Sequence, residues 1–122
     1  MNKNLALTSL LGALTIVLGA FGAHALQELL TINELKSFET AVRYQMYHVI
    51  VLLIVNTYSK FTSKTKNTIS YLFFTGILFF SGSIYAITFG VEAKSIWFVT
   101  PLGGLFFILG WLKMVFSYFK KE

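Results

Sequence analysis

Two histidines, His24 and His48, stand in a chain that otherwise offers little for acid–base or metal chemistry. Glu28 follows His24 one helical turn later. Glu39, Arg43 and Tyr47 recur at i, i+4 spacing, as do Tyr44 and His48, with Gln45 between them. Two imidazoles and a carboxylate could hold a divalent metal. Two histidines could serve as axial ligands to haem. A relay through Glu28, Arg43 and His48 could carry protons. The spacings give the first two little support, because no His-x-x-His, His-Glu-x-x-His or haem-attachment pattern is present. No serine, histidine and acid triad is apparent, and there is no glycine-rich phosphate loop. The expectation is a protein that is not an enzyme and takes no metal and no cofactor. The structural reading of the same residues is a polar network. It joins the end of a first helix to the start of a second through His24, Glu28, Glu39, Arg43, Tyr44, Gln45, Tyr47 and His48. Polar groups near a membrane are costly unless partnered. Arg43 should therefore pair with Glu39 or Glu28, and His48, the deepest, should be hydrogen-bonded.

The elements that must position these residues follow from composition. The chain has 122 residues, 56% of them hydrophobic, 17% aromatic and 12% charged. Soluble domains carry about 25% charged residues. A soluble chain this short could not bury so much apolar surface. The bilayer is its natural solvent. The absence of cysteine excludes disulfides and thiolate chemistry, and aspartate is absent too. The net charge of +5 does not point to nucleic acid, because the cations sit at the ends of apolar runs and form no stripe. The lipid bilayer is the expected partner, with anionic headgroups matching the positive charge.

Four spans are expected in one membrane domain covering 1–122, at about 5–26, 42–59, 69–89 and 96–118. The uncharged run 5–23 is about long enough to cross ~30 Å of hydrocarbon. It is too long for a signal-peptide core, although Ala23-His24-Ala25 mimics a cleavage site. Thr31 or Asn33 can cap a second helix, with Glu34 placed to suit its dipole. Leu35, Phe38 and Val42 recur at helical spacing, so that helix begins amphipathic and runs unbroken into its span. Residues 61–67 read as a short aqueous loop. Residues 90–95 read as a tight turn, and Pro101 falls in the first turns of the last helix, where it costs least. Trp97, Trp111 and Tyr118 read as interfacial aromatics. The fold class is thus an all-α integral membrane bundle of four transmembrane helices, with an amphipathic N-terminal extension of helix 2.

Small residues recur at seven-residue spacing as Gly12 and Gly19, Gly76 and Ser83, and Gly103 and Gly110. Small residues let helices approach closely in lipid. Helix packing is the role read for Gly12, Gly19, Gly22, Gly76, Gly82, Ser83, Gly103, Gly104 and Gly110. Whether the stripes face inward in a monomer, or join copies of the chain or a membrane partner, the spacing leaves open. With both termini inside, the inner side receives Lys3, Lys60, Lys64, Lys66, Lys113, Lys120 and Lys121, against Lys36, Arg43 and Lys94 outside. The positive-inside rule then places both termini in the cytoplasm of a multi-pass cell-membrane protein.

Four motifs carry a resemblance: Gly19-Ala20-Phe21-Gly22-Ala23-His24-Ala25-Leu26, Thr40-Ala41-Val42-Arg43-Tyr44-Gln45-Met46-Tyr47-His48, Phe80-Ser81-Gly82-Ser83-Ile84-Tyr85 and Thr100-Pro101-Leu102-Gly103-Gly104. In this order they resemble the family of small bacterial inner-membrane proteins typified by YgdD and YwdK, which has a vertebrate transmembrane relative. The basic loop suits the staphylococcal members, of the kind called membrane-stabilising proteins. The resemblance implies a four-span bundle with no assigned catalytic or ligand-binding residues. It also implies a role in membrane or envelope integrity. The expected function is accordingly non-enzymatic support of the membrane. The alternative is a small transporter or proton-linked channel using Glu28, Arg43 and His48.

Overall fold

The structure, a computed structural model, describes residues 2–120. Lys121, one of the cations counted toward the inner side, lies outside them. Helix α1 (Lys3–His24) leads through a short turn into α2 (Ile32–Thr57). A third rod is built from α3 (Ser63–Gly76), a π-helical turn (Ile77–Ser81) and α4 (Gly82–Thr88). A 3-10 turn (Ala93–Ser95) leads to α5 (Val99–Phe119). Four helical rods, Lys3–His24, Ile32–Thr57, Ser63–Thr88 and Val99–Phe119, are long and apolar enough to cross a membrane. Among the described residues there is no strand.

Local chemistry sets the ends. Thr31 accepts a hydrogen bond from the Glu34 N–H, and the Glu34 carboxylate accepts one from the Thr31 N–H. This reciprocal capping box starts α2 where its apolar stripe begins. Phe38 and Ala41 are buried along that first stretch, while Lys36, Glu39 and Arg43 are exposed. The amphipathic start therefore continues into the span without a break. Gly90 turns the chain after α4 at φ +118°, a conformation that side chains other than glycine rarely adopt.

Two sequence expectations are corrected here. The stretch 61–67 is not a free aqueous loop. Thr62 caps α3, so helix begins at Ser63, and Phe61 is buried against Tyr58 and Tyr118. Trp111 does not stand toward the end of its helix. It lies near the middle of α5, with its indole turned toward α2.

Consecutive rods are antiparallel, as the pairings show. Gly12 meets Val49, Gly19 meets Val42 and Gly22 meets Phe38 between α1 and α2. Gly76 meets Phe107, Gly103 meets Phe80 and Gly110 meets Phe73 between the third rod and α5. Both described ends therefore lie at one end of the bundle. The core of Leu52, Val55, Phe61, Ile69, Phe73, Ile77, Phe107 and Met114 sits between α2, the third rod and α5. Helix α1 packs mainly on α2 and turns Leu10, Ile16 and Val17 outward, as a lipid-facing helix must. Gly104 and Gly82 depart from the packing role. A Cβ on Gly104 would meet open space, and one on Gly82 would touch only its own rod.

Candidate functional site

The polar side chains of the bundle interior gather in two layers. The first lies at mid-depth and is built on α2. His48 follows Tyr44 by one turn, so its Nδ1–H donates to the Tyr44 carbonyl at 2.7 Å. That bond sets the tautomer and leaves Nε2 as an acceptor. The Trp111 indole N–H donates to it at 3.1 Å. The imidazole lies flat on Phe107, centroids 3.7 Å apart and planes 6° from parallel, with Phe73 edge-on. Both ring nitrogens are thus partnered, and Phe107 covers one face. Gln45, one residue after Tyr44, turns toward α1 and the third rod. Its amide N–H donates to the Leu11 carbonyl at 3.2 Å, and its oxygen accepts from the Tyr85 hydroxyl at 2.7 Å. One glutamine therefore ties three rods together.

Two serines close this layer. The Ser81 hydroxyl donates to the Ala41 carbonyl at 2.7 Å, from the last residue of the π turn. Ser83 bonds the Phe80 carbonyl and the Thr100 hydroxyl, joining the third rod to α5. The second layer lies at the end that carries both termini. Asn4 donates to Asn56 at 3.1 Å and to Asn67 at 2.8 Å, and Asn56 donates to the buried Ser70 hydroxyl at 2.8 Å. Asparagines from α1, α2 and α3 thus meet at one point.

The sequence-derived candidates divide between interior and surface. Gln45 and His48 are buried; His24, Glu28, Glu39, Arg43, Tyr44 and Tyr47 are exposed. His24 ends α1, whereas His48 lies roughly 24 Å along α2 from its start, at 1.5 Å per residue. The two imidazoles do not converge. Arg43 donates to the Thr40 hydroxyl at 3.2 Å, one turn back on its own helix, instead of to Glu39 or Glu28. The network expected between α1 and α2 thus runs through Gln45 and the Leu11 carbonyl, not through charge. Among the described residues no group of three or more His, Asp or Glu side chains could hold a metal ion.

Trp111 and the three asparagines were absent from the candidate residues, and Tyr85 entered only as part of a family motif. Trp111 and Phe107 stand at i, i+4 on α5, and that pairing was the available signal for an aromatic cradle. Asn56 was legible as a polar residue inside the end of an apolar run, where lipid would leave it unsatisfied, whereas Asn4 and Asn67 lie just outside such runs.

These observations define a small four-helix integral membrane protein, bonded internally by neutral polar groups. The family described as a protein of unknown function (DUF423) matches residues 18–104. A UPF0382 membrane protein of Staphylococcus aureus (strain bovine RF122 / ET3-1) is 42% identical over 91% of this chain and 93% of its own length. That of Staphylococcus saprophyticus is 43% identical over 91% and 95%. That of Haemophilus influenzae is 36% identical over 99% and 97%. The chain belongs to this family of UPF0382 (DUF423) membrane proteins. No solved structure matches it.

Proposed function

We propose that the protein is a non-enzymatic component of the cell membrane that supports envelope integrity by packing with lipid or with a membrane partner. Its orientation in this reading has both termini in the cytoplasm. The observation that carries it is where most of the hydrogen-bonding capacity of the interior goes, the buried Thr8 and Ser117 hydroxyls being without a partner among the described residues. His48, Gln45, Tyr85, Ser81 and Asn56 bond to other side chains or to backbone carbonyls of neighbouring turns and rods. A catalytic or transport site keeps some of that capacity for a substrate. Large apolar side chains such as Leu10, Ile16, Leu78, Ile108 and Phe116 cover the outside. The nearest reading of such an object is a compact wedge in the bilayer.

The test is reconstitution into liposomes. The purified protein should change passive permeability or bending stiffness in proportion to the amount inserted, with no saturable uptake of any solute. Saturable, pH-dependent uptake that His48→Ala abolishes in a folded protein would replace this reading with a transporter.

A further inference from the structure

At the end of the bundle that carries both termini, a cavity of about 320 Å³ opens between the start of α1, the end of α2 and the start of α3. Lys3, Asn4, Ser63, Lys66, Asn67 and Tyr71 help form its wall, and among the described residues no carboxylate takes part. The asparagine layer is its floor. Hydrogen-bond inventory shows which way the wall is polarised. Both N–H groups of the Asn4 amide are used on Asn56 and Asn67, and both of Asn56 on the Leu52 carbonyl and Ser70. The Asn67 oxygen is taken by Asn4, so its amide N–H groups remain to face the cavity. Neither Lys3 nor Lys66 has an acidic partner among the described residues. The nearest acids in sequence, Glu28 and Glu92, lie beyond the far ends of α1 and the third rod. The cavity thus offers as donors the Asn67 N–H groups and the Lys3 and Lys66 ammonium groups, above a hydrogen-bonded floor in which Asn4 and Asn56 have no N–H to spare. The positive ends of the α1 and α3 dipoles lie at this cavity, opposed by the negative end of α2.

We propose that this cavity binds a phosphate group, and that its natural bearer is the headgroup of an anionic membrane lipid. The proposal requires only that the chain reside in a membrane and stands independently of a role in envelope integrity. A phosphodiester supplies several acceptor oxygens and one negative charge to Lys3, Lys66 and Asn67. The acyl chains leave along the apolar flanks of α1 and α3. Free phosphate offers the same chemistry without the chains, so the experiment separates the two.

The purified full chain is exchanged into mixed micelles of phosphatidylglycerol and phosphatidylcholine, and retained lipid is read by native mass spectrometry. The expected result is selective retention of phosphatidylglycerol. Lys3→Gln with Lys66→Gln should weaken that preference by roughly thirtyfold, since each of the two cations near a lipid surface contributes about 1 kcal/mol. Asn67→Asp keeps the oxygen that Asn4 needs but replaces the N–H donors with charge, and should abolish it. Lys60→Gln with Lys64→Gln removes the same charge from the same end but not from the cavity, and should change nothing. Equal loss in that control would overturn the site in favour of diffuse surface charge, and equal retention of both lipids would overturn it outright. A second arm titrates inorganic phosphate by phosphorus NMR. Line broadening that depends on Lys3 and Lys66, without any lipid preference, would overturn the lipid assignment.

Discussion

Gly103 on α5 lies directly against the backbone of Phe80 in the third rod. A Cβ on Gly103 would fall 2.2 Å from the Phe80 nitrogen and 2.7 Å from its Cα. Phe80 belongs to the π turn, where the rod is wider than an α-helix and presents backbone, not a side chain, to its neighbour. The close approach and the π turn explain each other. A widened turn needs a partner with no side chain, and Gly103 is that partner.

Gly103→Ala should therefore destabilise the protein by roughly 3 kcal/mol, because backbone cannot rotate away as a ring can. Gly76 and Gly110 instead face the rings of Phe107 and Phe73, which can shift, and alanine there should cost less. Gly104→Ala meets open space. It should cost nothing and could add up to about 1 kcal/mol of helix propensity. Thermal unfolding of the four variants in one detergent checks the order. Equal effects at 103 and 104 would mean that α5 does not approach Phe80.

The His48–Trp111 bond makes a separate prediction. Trp111→Phe keeps an aromatic ring but leaves Nε2 without its donor. A single interhelical hydrogen bond in a membrane protein contributes about 0.6 kcal/mol on average and at most about 1.7. The expected loss is near the upper end, since the acceptor is buried. His48→Phe with Trp111→Phe should lose less than the sum of the single changes, because it removes both partners at once. A double-mutant cycle with strictly additive losses would show that the indole does not bond the imidazole.

Gln45 has two partners, and they can be removed in turn. Tyr85→Phe leaves the Gln45 amide oxygen unpartnered, whereas Gln45→Leu removes both bonds, stranding the Tyr85 hydroxyl while the Leu11 carbonyl keeps the Thr15 hydroxyl. The second change should cost about twice the first, on the order of 2 kcal/mol against 1. It should also loosen α1, which has few other polar ties to the bundle. Faster hydrogen exchange confined to α1 in Gln45→Leu would be the signature, and uniform exchange across all four rods would contradict it.

How much of this was legible beforehand follows from the kind of signal each feature leaves. The spans were legible as uncharged runs, and the start of α2 as Thr31 with Glu34 three residues on. His48 was legible as the residue that lipid could not leave bare. Rotation about each helix axis was not. In lipid the outside of a helix is as apolar as its inside, so no hydrophobic stripe says which face packs. Trp111 therefore read as an interfacial aromatic, and Gly104 could not be told from Gly103 beside it. The loop read over 61–67 failed for a different reason. Lys64 and Lys66 lower the hydropathy of the first α3 turns without breaking their helix, which Thr62 caps.

Arg43 reverses an expectation that rested on burial. A buried arginine robbed of its carboxylate would cost about 3–5 kcal/mol. Arg43 is instead exposed and, among the described residues, bonds the Thr40 hydroxyl on its own helix. Arg43→Ala should shift stability by no more than about 0.5 kcal/mol, as exposed substitutions do. A loss of several kcal/mol would require a buried carboxylate partner for this guanidinium.

Orientation is open to a direct experiment because the chain has no cysteine of its own. The end of the bundle with the termini carries Lys3, Lys60, Lys64, Lys66, Lys113 and Lys120, and among the described residues no acid. The opposite end mixes Lys36, Arg43 and Lys94 with Glu28, Glu34, Glu39 and Glu92. Cations near span ends are retained on the cytoplasmic side, while acids contribute little. In intact cells a membrane-impermeant maleimide should label Lys94→Cys, in the turn before α5. It should label Lys60→Cys and Lys120→Cys only after the membrane is opened. Labelling of position 60 in intact cells, with protection of position 94, would invert the topology. It would also move the proposed phosphate cavity to the outer leaflet.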